Sequence, residues 1–489
     1  MFLLLSADPP SSASFSIFTE MDATNGRRFS GCHVVAMPYP GRGHINPMMN
    51  LCKSLASRTS LNVLITFVLT EEWLGFIGAD DKPPNIRFDS IPNTIPSELV
   101  RAADFPGFIH AVSTKMEAPF ERLLDRLDPP PTVILADTFL VWALDVGNRR
   151  KIPLASFWPM AASVFSVLYH FDLLVQHRHF PIQSSELGQR KDEIVDYIPG
   201  MSPTRVADLP TIIHGNSEPT LRRALDSVVG VDHKARYLLL SSIHELEAPI
   251  IAAIQAKFSN PVYCVGPLIP YPKLITPNIS AAQSNGGNDP NNHVMSWLDS
   301  QPRGSVLYVS WGSFLSLSGS QMEEIAAGLS GSGVRYLWVA RGETHRLEAG
   351  AGDKGLVVGW CDQLRVLSHC AVGGFWTHCG WNSTMEGVFA GVPLLTFPVV
   401  MDQVPNSKVI VEDWKVGQRV RTERGAGDLV ERGEVAEVVR RFMDSESCER
   451  REMVRRVKEL QDICQKATAE GGSFDTSLDA FARDISRSH

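Results

Sequence analysis

His44 follows the apolar run His33–Met37 and the turn-rich segment Pro38-Tyr39-Pro40-Gly41-Arg42-Gly43. Asp137 directly follows a second apolar run, Thr132-Val133-Ile134-Leu135-Ala136. Side by side at one sheet edge, the two would act on a hydroxyl. An imidazole with a pKa near ~6.5 accepts a proton at neutral pH, and such general-base work supplies ~10²–10⁴-fold. A carboxylate bonded to the ring fixes its tautomer and steadies the imidazolium as it forms. Taken alone, Asp137 also reads as a loop or cap residue. Asp145 is the nearest competing carboxylate, inside a helix-like stretch.

A second constellation follows the run Ala371–Thr377. The loop His378-Cys379-Gly380-Trp381-Asn382-Ser383 leads into a helix expected to begin near Ser383 and to end at Gly391-Val392-Pro393. A helix start presents free N–H groups and the positive end of the helix dipole, which suits a phosphate. His378, Asn382 and Ser383 add donors at the same place, so the loop reads as a diphosphate cradle. The Gly-x-x-x-x-Gly-Lys of a P-loop is absent. Gly41-x-Gly43 matches part of a dinucleotide fingerprint, but Asn46 stands at the third glycine position. No Asp-x-Asp occurs and no His/Cys set has zinc spacing, so no metal or other cofactor is expected. Leaving-group charge then falls to the helix terminus and its donors. Several neighbours have blander readings. Trp360 at a strand end reads as core, Ser383-x-x-Glu386 is a literal capping box, and Asp402 reads as a cap for the helix after it.

The elements that must position these residues alternate between apolar strand and amphipathic helix. Strands are expected at His33–Met37, Asn62–Leu69, Ile86–Ile91, Thr132–Asp137, Leu154–Trp158 and Tyr237–Ser242. Met48, Leu51, Cys52 and Leu55 recur at helical spacing, with Asn46 as expected N-cap and Pro47 at the first helical position. Residues 269–292 are rich in Pro, Gly and Asn and read as a linker. A second series follows at Ser305–Ser310, Arg335–Arg341, Leu356–Trp360, Ala371–Thr377 and Leu394–Pro398. The expected organisation is a leader over 1–28, an α/β domain over 29–268, the linker, a second α/β domain over 293–468, and a tail over 469–489. That tail carries an amphipathic helix on Phe474, Leu478, Phe481 and Ile485. Parallel sheets with crossover helices bind ligands at the carboxyl ends of their strands, so the site belongs in the cleft between the halves.

Composition narrows the classes. The 489 residues suffice for two or three domains at ~100–200 each. Lys+Arg 46 against Asp+Glu 54 leaves a formal charge of −8, which argues against a nucleic-acid partner. Eight scattered cysteines without a Cys-x-x-Cys pair read as reduced thiols of a cytosolic protein. No run of ~18 apolar residues suggests a membrane span. The start Met1-Phe2-Leu3-Leu4-Leu5 lacks the basic region of a secretory signal, and Met21 is an alternative natural start.

The stretch from Trp360-Cys361-Asp362-Gln363 through His378-Cys379-Gly380-Trp381-Asn382-Ser383-Thr384-Met385-Glu386-Gly387 to Asp402-Gln403 resembles the plant secondary-product glycosyltransferase box of the family 1 UDP-dependent glycosyltransferases. The similarity runs over almost the whole chain after residue 30. It implies a GT-B fold, two facing Rossmann-like domains, and inverting transfer from a UDP-sugar to a small-molecule acceptor. By the resemblance, Trp360 would stack on uracil and the Cys361 backbone would pair with the base edge. Gln363 and Glu386 would bind the ribose, and His378, Asn382 and Ser383 the phosphates. Gly312 and Ser313 would lie beside the α-phosphate, and Trp381, Asp402 and Gln403 would grip the sugar. His44 and Asp137 match the family's base and its carboxylate partner. Gln403 is associated with glucose, where His goes with galactose. Two positions depart from the pattern: Trp311 replaces a more usual Phe, and Pro159 stands where a Thr often touches the sugar's 6-hydroxyl. The leading expectation is transfer of glucose from UDP-glucose to a hydroxyl of a small lipophilic acceptor. Another UDP-sugar (galactose, xylose, rhamnose) and a non-catalytic nucleotide-sugar binder are the alternatives.

Overall fold

A computed structural model of the chain describes residues 31–58, 62–78, 82–101, 103–182, 184–214, 218–270, 290–312, 317–342, 347, 352–421 and 429–487. The expected leader, residues 271–289 of the expected linker, and Ser313 lie outside the described residues.

The first half supplies β1 (Cys32–Met37), β2 (Val63–Thr70), β3 (Ile86–Ile91), β4 (Val133–Asp137), β5 (Leu154–Trp158), the short pair β6 (Ile194–Val195) and β7 (Thr204–Arg205), β8 (Tyr237–Leu240) and β9 (Val262–Cys264). Seven of these form one parallel sheet in the order β3-β2-β1-β4-β5-β8-β9. Strands of such a sheet are covered on both faces, which is why β1, β4, β5 and β8 read as continuous apolar runs and are buried along their length. The second half supplies β10 (Val306–Ser310), β11 (Arg335–Val339), β12 (Gly355–Val358), β13 (Val372–Thr377), β14 (Leu394–Thr396) and β15 (Gly417–Arg419), ordered β12-β11-β10-β13-β14-β15 and again parallel. Two Rossmann-like sheets of this kind, facing across a cleft, are the GT-B architecture. In each sheet the order reverses beside the first strand, between β1 and β4 and between β10 and β13. Those reversals are where open α/β sheets hold ligands.

Two helix starts differ from expectation. The first helix spans Arg42–Ala56 with Gly41 as its N-cap, so Pro47 lies inside it rather than at its first position. A proline there removes one N–H from the ladder, which leaves the Gly43 carbonyl without its helical donor. The helix tolerates this because another part of the chain supplies a donor, described below. The helix after β13 spans Trp381–Ala390, starting ahead of Ser383, and Gly380 caps it with no side-chain hydrogen bond. The Ser383/Glu386 capping box is therefore not formed.

The last helix, Ser473–Arg487, buries Phe474, Leu478, Phe481 and Ile485 against the first sheet's apolar layer. Phe481 meets Tyr237 and Tyr263 at ring-centroid distances of 5.8 and 5.5 Å. Arg58 pairs with Asp475 at 2.6 Å. Among the described residues no helix is long and apolar enough to cross a membrane. All eight cysteines are unbridged.

Candidate active site

At the first reversal, β4 ends in Asp137 and the first turn of the helix Arg42–Ala56, which follows β1, delivers His44. His44 Nδ1 and Asp137 Oδ2 are 2.7 Å apart, with the carboxylate fully covered and the imidazole side chain 23% exposed to the cleft. Asp137 Oδ1 accepts the Phe139 N–H at 3.0 Å, so the carboxylate is fixed from both ends. Tyr39 and Phe139 flank the ring at centroid distances of 5.1 and 6.1 Å. The competing Asp145 is instead paired with Lys234 at 2.7 Å on a helix surface.

At the second reversal, the helix Trp381–Ala390 opens toward the same cleft. Its first ladder bond runs from Thr384 N–H to the Gly380 carbonyl, so the N–H groups of Asn382 and Ser383 are left outside the ladder. Gly312 has φ +75°, and a Cβ there would lie 2.5 Å from His378 Nε2, while one on Gly380 would lie 2.6 Å from the same atom. The imidazole is thus seated between two glycines, and burial drives its pKa down to about 4. It is neutral at pH 7. Cys379, between His378 and Gly380, sits at φ +68°, a left-handed conformation unusual for a residue with a Cβ. Its carbonyl takes the Asn406 amide at 2.9 Å, which anchors the turn.

Glu386 accepts the Gln363 amide at 2.6 Å, and Gln363 also reaches Ser383 Oγ at 3.0 Å and receives the Tyr308 hydroxyl at 3.3 Å. Burial, helped by the field of Asp362 and opposed by the Gln363 amide, pushes the Glu386 carboxyl up to about 7. Asp402 does not cap the following helix with its side chain. Burial raises it to about 6, against the Asn406 amide, the Trp381 N–H and the field of His44 across the cleft. The Gln403 carbonyl oxygen takes the Val399 and Val400 N–H groups at 2.9 and 3.2 Å, which leaves its amide N–H groups as the donors presented at the cleft. Trp360 is 48% exposed, an indole left open at the cleft rather than packed in a core. Cys361 by contrast is buried, its thiol against the Tyr308 hydroxyl, so only its main chain is offered.

One cavity of about 770 Å³ is lined by His44 and by every described donor-side residue singled out from the sequence, with Asp137 directly behind His44. Trp381 lines it as well, with its indole N–H committed to the Ser241 carbonyl at 2.6 Å. The first lobe's walls of the cavity include the apolar Phe105, Ile109, Phe139, Trp142, Met160 and Ile212, with Ser113, Thr220, Arg223 and Asp226 beside them. Pro159 lines it too, without the hydroxyl that a threonine would bring. Of the aromatics flanking Met160 in sequence, Phe165 is core, and Phe171 packs on Phe180 at 4.7 Å. Sequence reasoning missed Arg42, Tyr308 and Arg341, which also line the cavity. A charge at a strand's carboxyl end, as in Arg341 after β11, was the available signal. Among the described residues no group of His, Cys, Asp and Glu is arranged to hold a metal ion.

Comparison with known proteins agrees with this geometry. A profile of the family described as "UDP-glucoronosyl and UDP-glucosyl transferase" matches residues 265–438. The chain is 54% identical to UDP-glycosyltransferase 87A1 of Arabidopsis thaliana over 92% of its own length and 100% of the relative's. It is 53% identical to UDP-glycosyltransferase 87A2 of the same plant, over 94% and 97%. Among solved structures it resembles Phytolacca americana UGT2 complexed with UDP-2-fluoroglucose and pterostilbene, at TM-score 0.74 and 27% identity, covering 93% of this chain and 100% of that one. It also resembles Medicago truncatula UGT71G1 complexed with UDP-glucose, at TM-score 0.76 and 26% identity, covering 93% and 98%. A chain with this fold, this cleft and these relatives belongs to the plant family 1 UDP-glycosyltransferases and is a glycosyltransferase enzyme.

Proposed function

We propose that the enzyme transfers glucose from UDP-α-glucose to a hydroxyl of a small, largely apolar acceptor and releases the β-glucoside and UDP. The observation that carries this reading is the opposition of the His44–Asp137 pair to the His378/Asn382/Ser383 helix start across one cavity. His44 Nε2 takes the acceptor's proton as its oxygen attacks C1, while Asp137 holds the Nδ1 proton and steadies the imidazolium. The C1–O bond to the diphosphate breaks on the opposite face, which inverts the anomeric centre. The departing charge is met by the helix N-terminus and the donors around it, an electrostatic site already in place before reaction.

The uracil would lie on the exposed face of Trp360, with the ribose hydroxyls on Glu386 and Gln363. Gln403 and Asp402 would take the sugar hydroxyls. Glucose is favoured by Gln403 and by relatives solved with UDP-glucose and its 2-fluoro analogue. Pro159 removes one hydroxyl contact and loosens that choice. The apolar walls Phe105, Ile109, Phe139, Trp142, Met160 and Ile212 suit an aromatic or terpenoid-like acceptor, in keeping with the pterostilbene bound by the Phytolacca enzyme. Unbridged thiols fit a reducing, cytoplasmic setting.

The test is an acceptor panel of phenols and alcohols with UDP-glucose, UDP-galactose, UDP-xylose and UDP-rhamnose, read by mass spectrometry. The anomeric configuration of the product is then assigned by NMR. A β-glucoside formed faster from UDP-glucose than from the others supports the reading. An α-product, or UDP-glucose binding with no turnover on any acceptor, would reject it.

A further inference from the structure

Two consecutive side chains at the start of the donor-site helix leave their own lobe. Trp381 Nε1 donates to the Ser241 carbonyl at 2.6 Å, just beyond the end of β8. Asn382 Nδ2 donates to the Gly43 carbonyl at 2.8 Å, in the residue before His44. Both acceptors are backbone oxygens of the first lobe, and neither is interchangeable with its neighbours. The Gly43 carbonyl is available because Pro47, four residues on, has no N–H to give it. An ordinary residue at 47 would close that bond within the helix. Ser241 is equally fixed, its N–H held by the Trp158 carbonyl at 2.9 Å. The Trp381 side chain is buried, so its N–H bond is made in a dry interface where an unmet donor is costly.

We propose that Trp381 and Asn382 are positioning residues whose side chains clasp the two lobes at the cleft floor and set how far His44 stands from the sugar's anomeric carbon. This rests on the transfer reading given above. The helix that receives the diphosphate and the turn that carries the base lie on different sheets, and each could be well formed while their separation was wrong. Displacement of a reacting group by about 1 Å can cost ~10²-fold in rate. The clasp joins the two sites by one residue on each side: Asn382 to Gly43, and Gly43 to His44. Asn382 retains a second amide N–H for a phosphate oxygen, so a bound donor and the base loop are held by the same side chain. Elsewhere the lobes are joined by Thr211 with Met401 and by Arg205, Asp208, Glu412 and Arg419. Those contacts, and that of Ser202 with Lys408 and Asp413, hold the lobes together elsewhere, so breaking the clasp does not separate them.

Three variants test it without removing a phosphate ligand. Trp381→Phe keeps the ring and loses the N–H, and benzothienylalanine at 381 repeats the loss with the indole shape intact. Pro47→Ala restores a helical N–H that competes with Asn382 for the Gly43 carbonyl. The expected result is a kcat lower by about 10- to 100-fold in the Trp381 variants and by about 3- to 10-fold in Pro47→Ala. UDP affinity by calorimetry stays within about twofold, because the nucleotide's contacts lie in the second lobe. The fraction of UDP-glucose lost to water rather than transferred rises in all three. Pro47→Ala should melt no lower than the wild type, since the helix gains a bond. An unchanged kcat in every variant would overturn the proposal. So would a fall in UDP affinity matching the fall in kcat, which would place Trp381 in the nucleotide site. Hydrogen exchange over residues 41–47 needs no turnover and should quicken in the Trp381 variants. If the wild type transfers to no acceptor but that exchange responds, the transfer reading fails and the clasp stands; unchanged exchange rejects the clasp.

Discussion

At the scale of single residues, the proposed donor site is built from groups whose ordinary protonation has been displaced by burial. Glu386 at about 7 and His378 at about 4 are the clearest cases. The Glu386 carboxylate can accept ribose hydroxyls only when ionised, so a bound donor favours the ionised form and lowers its pKa. UDP-glucose affinity is therefore full above pH 7 and is lost as pH falls through about 7, with a proton released on binding. Titration calorimetry of UDP-glucose in buffers of different ionisation heat should find that release near pH 6.5, and Glu386→Gln should remove most of it, leaving the smaller share from Asp402, which burial raises to about 6. No proton release in the wild type would contradict the assignment. His378 cannot cause the loss, since a diphosphate beside it raises its pKa and strengthens binding toward low pH. Gly312 gives a steric counterpart. Gly312→Ala would put a methyl 2.5 Å from His378 Nε2 at φ +75°, and should weaken UDP binding at least ~10-fold through a displaced imidazole and a strained turn. Unaltered binding would show the turn to be more yielding than its packing implies.

At the scale of elements, the apolar runs that predicted strands are strands, because burial on both faces of a parallel sheet leaves a continuous signature. The Ile86–Ile91 and Leu154–Trp158 strands coincide with expectation to the residue. β9 and β15 escaped because Val262–Cys264 is a short run closed off by Pro261 and Gly266, and Gly417–Arg419 carries no apolar side chain. Helix starts were less legible. Pro47 looked like a first helical residue, yet the helix begins at Arg42 because the carbonyl freed by the proline is satisfied from the other lobe. Local sequence holds no trace of a donor so far along the chain. The tail helix was readable from the spacing of Phe474, Leu478, Phe481 and Ile485, and its docking gives a stability prediction. Phe481 is fully buried against Tyr237 and Tyr263, so Phe481→Ala should cost about 3–5 kcal/mol in denaturant unfolding. The kcat of the folded fraction should hold. A cost below about 1 kcal/mol would mean the helix contributes little to the first lobe.

At the scale of the whole molecule, the proposed catalytic pair His44–Asp137 and the proposed nucleotide cradle belong to separate lobes, and each sits where its own sheet reverses strand order. The sequence motifs named nearly all of the cavity's donor side, since those residues cluster in one window. They did not reveal that the Trp381 indole turns to the opposite lobe, nor that Arg42 and Arg341 join the cavity from each side, because both depend on how two distant sheets meet. The division of labour has a direct consequence: removing the base should cost turnover and spare nucleotide binding. The decisive measurement is kcat alongside UDP-glucose affinity for His44→Ala. A kcat lower by at least ~10²-fold with affinity within about twofold of wild type is the predicted result. Turnover close to wild type, or a loss of affinity that accounts for the loss of rate, would contradict it.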